Sequence, residues 1–509
     1  MAQKELAEKH PDTVEGPPAL GKVPAKIGFL DSIDVELTHV GYANVGQVTK
    51  GEVSAAWGPI EVGLGAGAES LDYYRDPLFF VAPRLEVRGI LGDFELYSCG
   101  SMVFVPKTDE TRKSTTAYLT VGGVVEPLSE EKGDTLTLRV GAEFEASGEK
   151  MYKDDTWGQY LYKAGFGSSV GYRNFTIYAV EEIVSYNEKV YTVRDRLIHH
   201  KIRSGISAST KEGKVQAEFF QTPFEKGGEL SFTFKAGRLV PQLYGWYSKE
   251  GDILGREHKA GSGLKIAFGS GALNVRSRVE RGFELGEGKY DNTVKNWKKD
   301  YAAEKRRYFY KAVRESKSIA EFASKYLGKS TQEILSAVSM LGLKGDARTY
   351  DKDATNKDIE EIGAEGAFLA LRKYIITKIE GGGGQCPNIS GALQSTFLRE
   401  VGWEAYSGLI AAAESGHVIT VARDPKTGEA YLLDYGDITM NGRGRIWPLI
   451  RQYAQKEGVV PLGVYLFGEG NKVIGYYEAE ERKLNRAMAG DRETLKEGLL
   501  HSRPKKKDN

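Results

Sequence analysis

Cysteine is scarce in this chain of 509 residues, which contains only Cys99 and Cys386. Two cysteines cannot build a disulfide framework or a thiolate zinc site, so both of these classes of protein are excluded. A surplus of positive charge is also missing, because 70 Lys and Arg residues balance 70 Asp and Glu residues. Nucleic-acid binding requires a net or clustered basic surface. We therefore expect no nucleic-acid partner, and no motif predicts a metal ion or another cofactor.

Long apolar runs are absent as well. The sequence has no stretch of about eighteen apolar residues, which a transmembrane helix would require. Residues 1–26 are polar, are interrupted by prolines and contain no apolar core, so they do not resemble a secretory signal. As written, the chain is expected to be cytoplasmic or already processed.

Glycine and tyrosine are abundant, with 61 and 28 residues, and the sequence before residue 295 alternates apolar and polar positions. A period of two predicts β-strands whose two faces meet different surroundings. Between Leu136 and Ala146, every even position is apolar, whereas the odd positions include Arg139, Glu143 and Glu145. About fourteen such antiparallel strands are expected between residues 30 and 295.

The number of strands limits the architecture. A closed barrel of about eight strands fills its interior with side chains, whereas twelve or more strands enclose a lumen too wide for apolar side chains to meet. The apolar face would then point outward and the charged face inward. The residues predicted to line the lumen are Arg84, Glu86, Arg88, Arg139, Glu143, Glu145, Lys163, Lys201, Arg203, Arg276 and Arg278.

An outward apolar band, short turns alternating with long loops, and tyrosines near strand ends are typical of transmembrane β-barrels. The tyrosines at such positions are Tyr118, Tyr160, Tyr172, Tyr186 and Tyr244. Residues 30–295 therefore resemble a bacterial outer-membrane β-barrel in pattern, without a sequence motif. The resemblance implies an outer-membrane location, lipid around the barrel and a periplasmic C-terminal domain. The alternative is a soluble cytoplasmic protein with a β-sandwich pair or a large sheet.

Beyond residue 295 the sequence becomes helical, with helices predicted over 297–313, 318–343 and 358–379. Leu327-Gly328-Lys329-Ser330 resembles the end of a phosphate-binding loop, but a turn between helices, with Ser330 capping the next helix, is favoured. The predicted organisation is a flexible segment (1–29), a barrel (30–295), a helical connector (296–345), an α+β domain (346–490) and a basic tail (491–509). The sequence does not indicate an oligomeric state.

Cys386 lies at the most informative motif of the second domain. Four glycines precede Gln385 and Cys386, and Pro387 is suited to the first position of a helix. Ile389, Leu393 and Phe397 then recur every four residues, which predicts a helix that starts at or just after the cysteine. A thiol at a helix N-terminus is stabilised as thiolate, and the N–H groups there can hold an oxyanion. Cys99, within a strand, is expected to be structural.

His417 is the only histidine between residues 300 and 500. It begins a predicted strand, a turn follows at 424–428, and Asp434 ends the returning strand. The two side chains would therefore lie at the same end of a hairpin, where Asp434 can orient His417 towards Cys386. Asp437 is a second candidate for the carboxylate. Taken singly, a buried core cysteine, a strand-start histidine and a turn aspartate are the more ordinary interpretations.

Together these residues resemble the transglutaminase-like branch of the papain-like cysteine enzymes. The pattern is a cysteine that opens a helix, then Arg399, Gly402 and Ala405, then Gly416-His417, and a strand ending at Asp434. The resemblance covers roughly residues 350–480 and implies an α+β fold and a Cys386-His417-Asp434 triad acting on peptide or amide substrates through a thioester. Pro387 departs from the family, which often has a bulky aromatic residue or an arginine there. Gln385 is the candidate for the oxyanion site.

The sequence thus predicts a thiol-dependent acyl-transfer enzyme, of peptidase, amidase or transglutaminase type, attached to a β-barrel. Its substrate would be a peptide or protein. The alternative is an outer-membrane pore or binding protein in which the transglutaminase-like domain is a non-catalytic plug or scaffold.

Overall fold

The computed structural model describes residues 31–500 except 44, 72–76, 92–93, 107–113, 129–135, 152–155, 189–196, 251–256, 271–272, 286–293, 297–301, 343–350, 352–355, 380, 413–415, 443, 458–460, 469–471 and 491–493. The predicted flexible segment at 1–29 and most of the basic tail lie outside the described residues.

Fifteen strands form one closed barrel in which each strand pairs with its neighbours along the chain. They are β1 (Ser32–Tyr42), β2 (Gly46–Trp57), β3 (Ile60–Leu71), β4 (Leu78–Leu91), β5 (Phe94–Val105), β6 (Ser114–Leu128), β7 (Thr137–Met151), β8 (Thr156–Tyr172), β9 (Phe175–Glu188), β10 (Leu197–Ser209), β11 (Gly213–Gln221), β12 (Glu225–Phe234), β13 (Leu239–Glu250), β14 (Glu257–Ser270) and β15 (Leu273–Leu285). The predicted barrel is confirmed, with one strand more than expected, and the sandwich alternative is wrong.

The barrel is closed by the first and last strands, which pair in parallel. Ile33 lies opposite Leu273, and Tyr42 lies opposite Gly282. Because an odd number of strands alternates in direction, β1 and β15 run the same way, and a purely antiparallel ring cannot close. Single-chain bacterial barrels usually have an even number of strands. We call the end of the barrel where β15 finishes the domain end, and the opposite end the turn end.

The two faces of the barrel are divided as the alternation predicts. Leu64, Phe79 and Ile177 point outward and expose 59%, 65% and 61% of their surface. The Arg and Lys residues predicted to line the lumen point inward, and each lies near a carboxylate. These pairs are Arg84–Glu52, Arg88–Glu86, Arg139–Glu126, Lys163–Glu145, Lys201–Glu182, Arg203–Glu218, Arg276–Asp34 and Arg278–Glu280.

Several tyrosines line the lumen, where they cover glycines of neighbouring strands. A Cβ atom added at Gly263 would lie 2.2 Å from the ring of Tyr244, whose hydroxyl donates to Glu280 at 2.8 Å. Tyr244 lies in the middle of β13, so the strand-end prediction is wrong for it. Tyr118 lies near the start of β6 as predicted, but it packs against a buried lumen cluster and not in an outward aromatic belt. Only Tyr172, at 47% exposure, points outward among those described. The side chains of Tyr160 and Tyr186 lie outside the described residues.

The second domain is an α+β unit built on a seven-stranded sheet of order β16-β20-β19-β18-β17-β21-β22. Its strands are β16 (Val294–Asn296), β17 (Glu404–Ala412), β18 (Gly416–Arg423), β19 (Ala430–Asp434), β20 (Asp437–Asn441), β21 (Pro461–Phe467) and β22 (Val473–Glu478). Its helices are α1 (Ala303–Glu315), α2 (Ile319–Ser324), α3 (Thr331–Leu341), α4 (Asn356–Thr377), a π-helix (Pro387–Gln394), α5 (Ser395–Glu400) and α6 (Trp447–Glu457).

The first helices belong to this domain and are not a separate connector. Phe309 of α1 and Leu341 of α3 share one apolar core with Phe397, so their buried faces pack within the α+β domain. Ser330 caps α3 in a capping box with Glu333. The prediction of a turn between helices is therefore confirmed, and the segment is not a phosphate-binding loop.

After β22 the chain enters the barrel with two short helices, α7 (Glu481–Ala489) and α8 (Thr494–Leu500). We call α7 and α8 the lumen helices. The first packs against β1, β2, β4 and β5, and the second against β6 to β9. The predicted domain boundary at residue 490 therefore falls inside a segment that belongs to the barrel interior.

Arg84 offers a test of the charge-paired lumen. Its guanidinium bonds to Glu52, Glu61 and Glu86, so Arg84→Ala leaves three buried carboxylates without this partner. We expect a loss of about 3–5 kcal/mol in the free energy of unfolding, measured by urea titration in detergent. The exposed Arg281→Ala is the control, and an equal midpoint for the two variants contradicts the pairing role.

Candidate active site

Cys386 stands where the predicted helix begins. Gly381, Gly382 and Gly384 adopt positive φ angles of 85°, 80° and 80°, which let the chain turn away from α4. The helix then starts at Cys386 and continues through α5. Its first part, Pro387–Gln394, is wound as a π-helix and not as the expected α-helix. Such wide turns are frequent at functional sites.

The predicted hairpin places His417 and Asp434 at the same end. Strands β18 and β19 pair in antiparallel fashion from Thr420 opposite Leu433 to Arg423 opposite Ala430. His417 Nε2 lies 2.8 Å from Asp434 Oδ1, and both side chains are partly buried. With Nε2 engaged, Nδ1 is the ring nitrogen left to face the thiol.

Cys386 completes the cluster through a hydrogen bond with His417. Burial alone lowers the pKa of His417, but the hydrogen bonds to Asp434 and Cys386, and the negative charges of these groups, outweigh it. Together they raise the pKa of His417 to about 9. At neutral pH the ring is therefore an imidazolium, which favours the thiolate form of its neighbour.

The helix that carries Cys386 is fixed against the hairpin by buried hydrogen bonds. The hydroxyl of Thr420 donates to the carbonyl of Ser390, and the backbone N–H of Tyr435 donates to the hydroxyl of Ser390 at 2.8 Å. A Cβ atom at Gly391 would lie only 2.7 Å from Val418 Cγ1. A glycine here lets the helix approach the sheet closely enough for the thiol to reach His417.

Gln394 ties the same helix to two other elements. Its Nε2 donates to the carbonyl oxygens of Tyr435, at 2.5 Å, and Val338, at 2.9 Å. Sequence reasoning missed both Ser390 and Gln394. They lie four and eight residues after Cys386, on the same face of the helix. This spacing is the signal from which their place beside the cysteine could have been predicted.

Aromatic rings cover the imidazole. The ring of Tyr453, from α6, stacks on His417 with centroids 5.7 Å apart and an interplanar angle of 4°, and Tyr435 lies 6.0 Å away. Nothing in the sequence around Tyr453 predicts this contact. Cys386 exposes 3% of its surface and packs in an apolar cluster that includes Val184 of the barrel. A cavity of about 230 Å³ opens beside Asp434 and Tyr453.

Three other residues were candidates from the sequence: Asp437, Gln385 and Cys99. Asp437 Oδ2 lies 3.1 Å from Lys456 Nζ, so Asp434 is the carboxylate bonded to the ring. The backbone N–H of Gln385 donates to Asn388 Oδ1 at 3.1 Å. Its proposed part in an oxyanion site is still a prediction. Cys99 is half-buried on β5, far along the chain from this cluster.

Neither a metal centre nor a membrane-spanning helix occurs in the described part of the chain. Among those residues, no group of three or more His, Cys, Asp or Glu side chains is arranged to hold a metal ion. Within the same residues, every helix is too short or too polar to cross a membrane.

Comparisons with known proteins give only distant similarities. No family model matches the sequence. No curated protein matches it either. Among solved structures, Pseudomonas aeruginosa OccK2 (OpdF) in complex with glucuronate is 9% identical over 47% of this chain and 86% of that chain, with a TM-score of 0.25.

A second structure of the same protein, without glucuronate in its description, gives 9% identity, 48% and 88% coverage and a TM-score of 0.25. The copper transporter OprC is 9% identical over 44% of this chain and 51% of that chain, with a TM-score of 0.23. Similarities this weak carry no inference about function, and the barrel is established by its own strand pairing.

The ion pair at the site predicts an unusual pH dependence for alkylation of Cys386. A free thiol ionises near pH 8.5, whereas a thiolate beside an imidazolium forms at lower pH and keeps its partner until His417 loses its proton at about pH 9. In a Cys99→Ser background, we expect half-maximal iodoacetamide labelling below about pH 7.5. His417→Ala should move this midpoint to about 8.5 or above, because burial opposes ionisation without the imidazolium. Equal midpoints contradict the ion pair.

Proposed function

We propose that this chain is an outer-membrane β-barrel protein whose α+β domain is a thiol-dependent acyl-transfer enzyme of transglutaminase-like type. The observation that carries the catalytic part is the cluster of Cys386, His417 and Asp434, in which His417 bonds to both partners. A nucleophile, a base and a group that orients the base form the arrangement required for covalent acyl transfer.

In the proposed reaction, the Cys386 thiolate attacks the carbonyl carbon of an amide and a tetrahedral oxyanion forms. The oxyanion collapses as the C–N bond breaks, and the imidazolium of His417 gives its proton to the leaving amine. The resulting thioester is then attacked by water or by an amine, whose proton returns to His417 as the thiolate leaves. Asp434 holds the ring through Nε2 in both steps. The start of the Cys386 helix offers N–H groups to the oxyanion.

The membrane location is supported by the outward face of the barrel. Apolar side chains such as Leu64, Leu85, Phe166 and Ile202 expose about half of their surface around the ring. A continuous apolar surface of this kind is far larger than the patches found on soluble monomers. In lipid, a closed ring also satisfies every strand hydrogen bond. The periplasmic position of the second domain stays a prediction from the sequence.

A second candidate function is a pore or binding protein whose α+β domain serves as a scaffold. Two observations favour it. The thiol exposes only 3% of its surface, so a substrate must displace the side chains that cover it. The lumen is lined by paired charges, as a water-filled channel requires. Ion conductance that is unchanged by Cys386→Ala, together with absent acylation, supports this candidate over the enzyme.

Acylation by p-nitrophenyl acetate tests the enzyme directly. We expect one equivalent of nitrophenolate per chain in the burst phase and an acetyl group on Cys386, located by peptide mass spectrometry. Cys386→Ala should abolish both. Asp434→Asn should slow acylation by about 100-fold or more, because the ring loses the group that orients it.

Asp437→Asn is the matched control, since this carboxylate is 51% exposed and pairs with Lys456. We expect its rate to stay within about twofold of the native rate. If Cys386→Ala is acylated as fast as the native chain, the enzyme proposal fails.

Leu64 tests the membrane proposal, because it lies near the middle of β3 and points outward. Leu64→Arg should destabilise the protein in lipid vesicles by about 2–4 kcal/mol, as expected for a charge facing lipid at mid-depth. Leu64→Ala controls for the lost side chain. The measurement is urea unfolding in vesicles, and equal stabilities of the two variants contradict burial in lipid.

A further inference from the structure

The barrel lumen contains a segment of its own chain. Helix α7 packs with Leu484 and Met488 against apolar residues near the domain end, among them Leu71 and Leu78. Helix α8 packs with Leu499 farther along the lumen, in the half of β6 to β9 nearer the turn end. The lumen helices thus run along the barrel axis from the domain end towards the turn end.

The wall of the lumen is shaped for α8. A Cβ atom added at Gly141 of β7 would lie 2.7 Å from Leu495 Cδ1, and one added at Gly167 of β8 would lie 2.6 Å from Leu499 Cδ1. Both glycines face inward, where an alanine would push the leucines away. These glycines, which belong to the charged face of the strands, therefore form a groove that receives two leucines. The groove accounts for part of the high glycine content of that face.

Polar groups of the wall hold the ends of α8. Glu143 Oε2 accepts from the backbone N–H of Leu495 at 2.9 Å. The carbonyl of Leu499 accepts from Arg139 Nη1 at 3.2 Å and from Ser169 Oγ at 2.6 Å. Groups of the wall thus satisfy N–H and carbonyl groups near both ends of the helix, which would otherwise require water.

Ion pairs and cation–π contacts hold the rest of the segment. Lys496 Nζ lies 2.6 Å from Glu218 of β11. Lys483 Nζ lies 4.0 Å from the ring centroid of Trp246. At the domain end, Lys259 of β14 lies 2.6 Å from Glu480, directly before α7. Each of these contacts joins a wall residue to the segment.

The lumen helices depend on the wall for their structure. With 9 and 7 residues they are too short to persist in water alone. Beside them remains a cavity of about 390 Å³, bounded by wall residues such as Lys214 and Lys265 and by Lys483 and Lys496 of the helices. Without the helices, this space would extend across the lumen.

We propose that the lumen helices are a built-in plug that closes a pore through the barrel. In a small fraction of the molecules the plug detaches from the wall, and the pore is open. The proposal rests on the barrel spanning a membrane, as proposed above, and is independent of the thiol chemistry. In the closed state the leucines fill the glycine groove. In the open state the segment leaves the wall, its helices unfold, and a charge-lined channel is exposed to ions.

The test uses the full chain in planar lipid bilayers. We expect the native chain to be closed for most of the recording time. Gly167→Ala should raise the open fraction at least about tenfold, since a steric conflict costing roughly 1.4 kcal/mol is enough for that change. Gly171→Ala is the matched control, because it lies on the same face of the same strand and the atoms nearest to its Cβ, from Thr137, Thr176 and Phe175, are 3.4 Å or more away.

A second substitution shows whether the plug itself is responsible. Adding Leu499→Ala to Gly167→Ala removes the nearest contact of the new methyl group and leaves its contacts with the wall, Val180 Cγ2 at 2.9 Å and the carbonyl oxygen of Ala179 at 3.1 Å, so the open fraction should fall again. A barrel damaged by Gly167→Ala would not be repaired in this way. A native chain that conducts continuously, or variants with identical open fractions, overturns the plug. Failure of the chain to enter lipid vesicles overturns the membrane proposal, and the plug with it, before any current is measured.

Discussion

A ring of fifteen strands is too wide for its own side chains to meet across the centre, and most of the structure follows from that constraint. Apolar residues therefore face outward, except where the lumen helices cover them inside, as at Leu71 and Leu78. Many other inward positions are charged, and the charges are paired, since an isolated charge of low exposure is costly. Tyr42, Tyr97 and Tyr244 reduce the space further by lying across the wall and donating to Glu280 or Glu143. The lumen helices occupy part of what remains.

The second domain meets the opposite requirement, because it has to bring three polar groups together inside an apolar core. Close packing at Gly391 and the hydrogen bonds of Ser390 hold the Cys386 helix against the hairpin of His417 and Asp434. The charge of the thiolate and of the carboxylate compensates for the burial of the imidazolium. The pKa of His417, raised to about 9, records the outcome of that balance.

Features with a regular period could be predicted from the sequence, and features that depend on partners distant in the chain could not. The alternation within β7 predicted both the barrel and the inward position of Arg139 and Glu143. The spacing of Ile389, Leu393 and Phe397 predicted the start of the Cys386 helix. The contact between Tyr453 and His417 joins elements without a shared pattern. The alternation does separate Tyr172, which faces outward with Val170, from Tyr244, which shares the inward face of β13 with Gln242.

The bond between Arg139 and the carbonyl of Leu499 joins residues that are 360 positions apart in the sequence. Contacts with such separations form late in folding, because long loops must close first. The lumen helices are also the last described part of the chain to be synthesised, after both the ring and the α+β domain. Before these helices enter, the wall can already pair charges within itself, as Arg84 does with Glu52, Glu61 and Glu86. Glu218 and Lys259 gain a further ionic partner when the segment arrives.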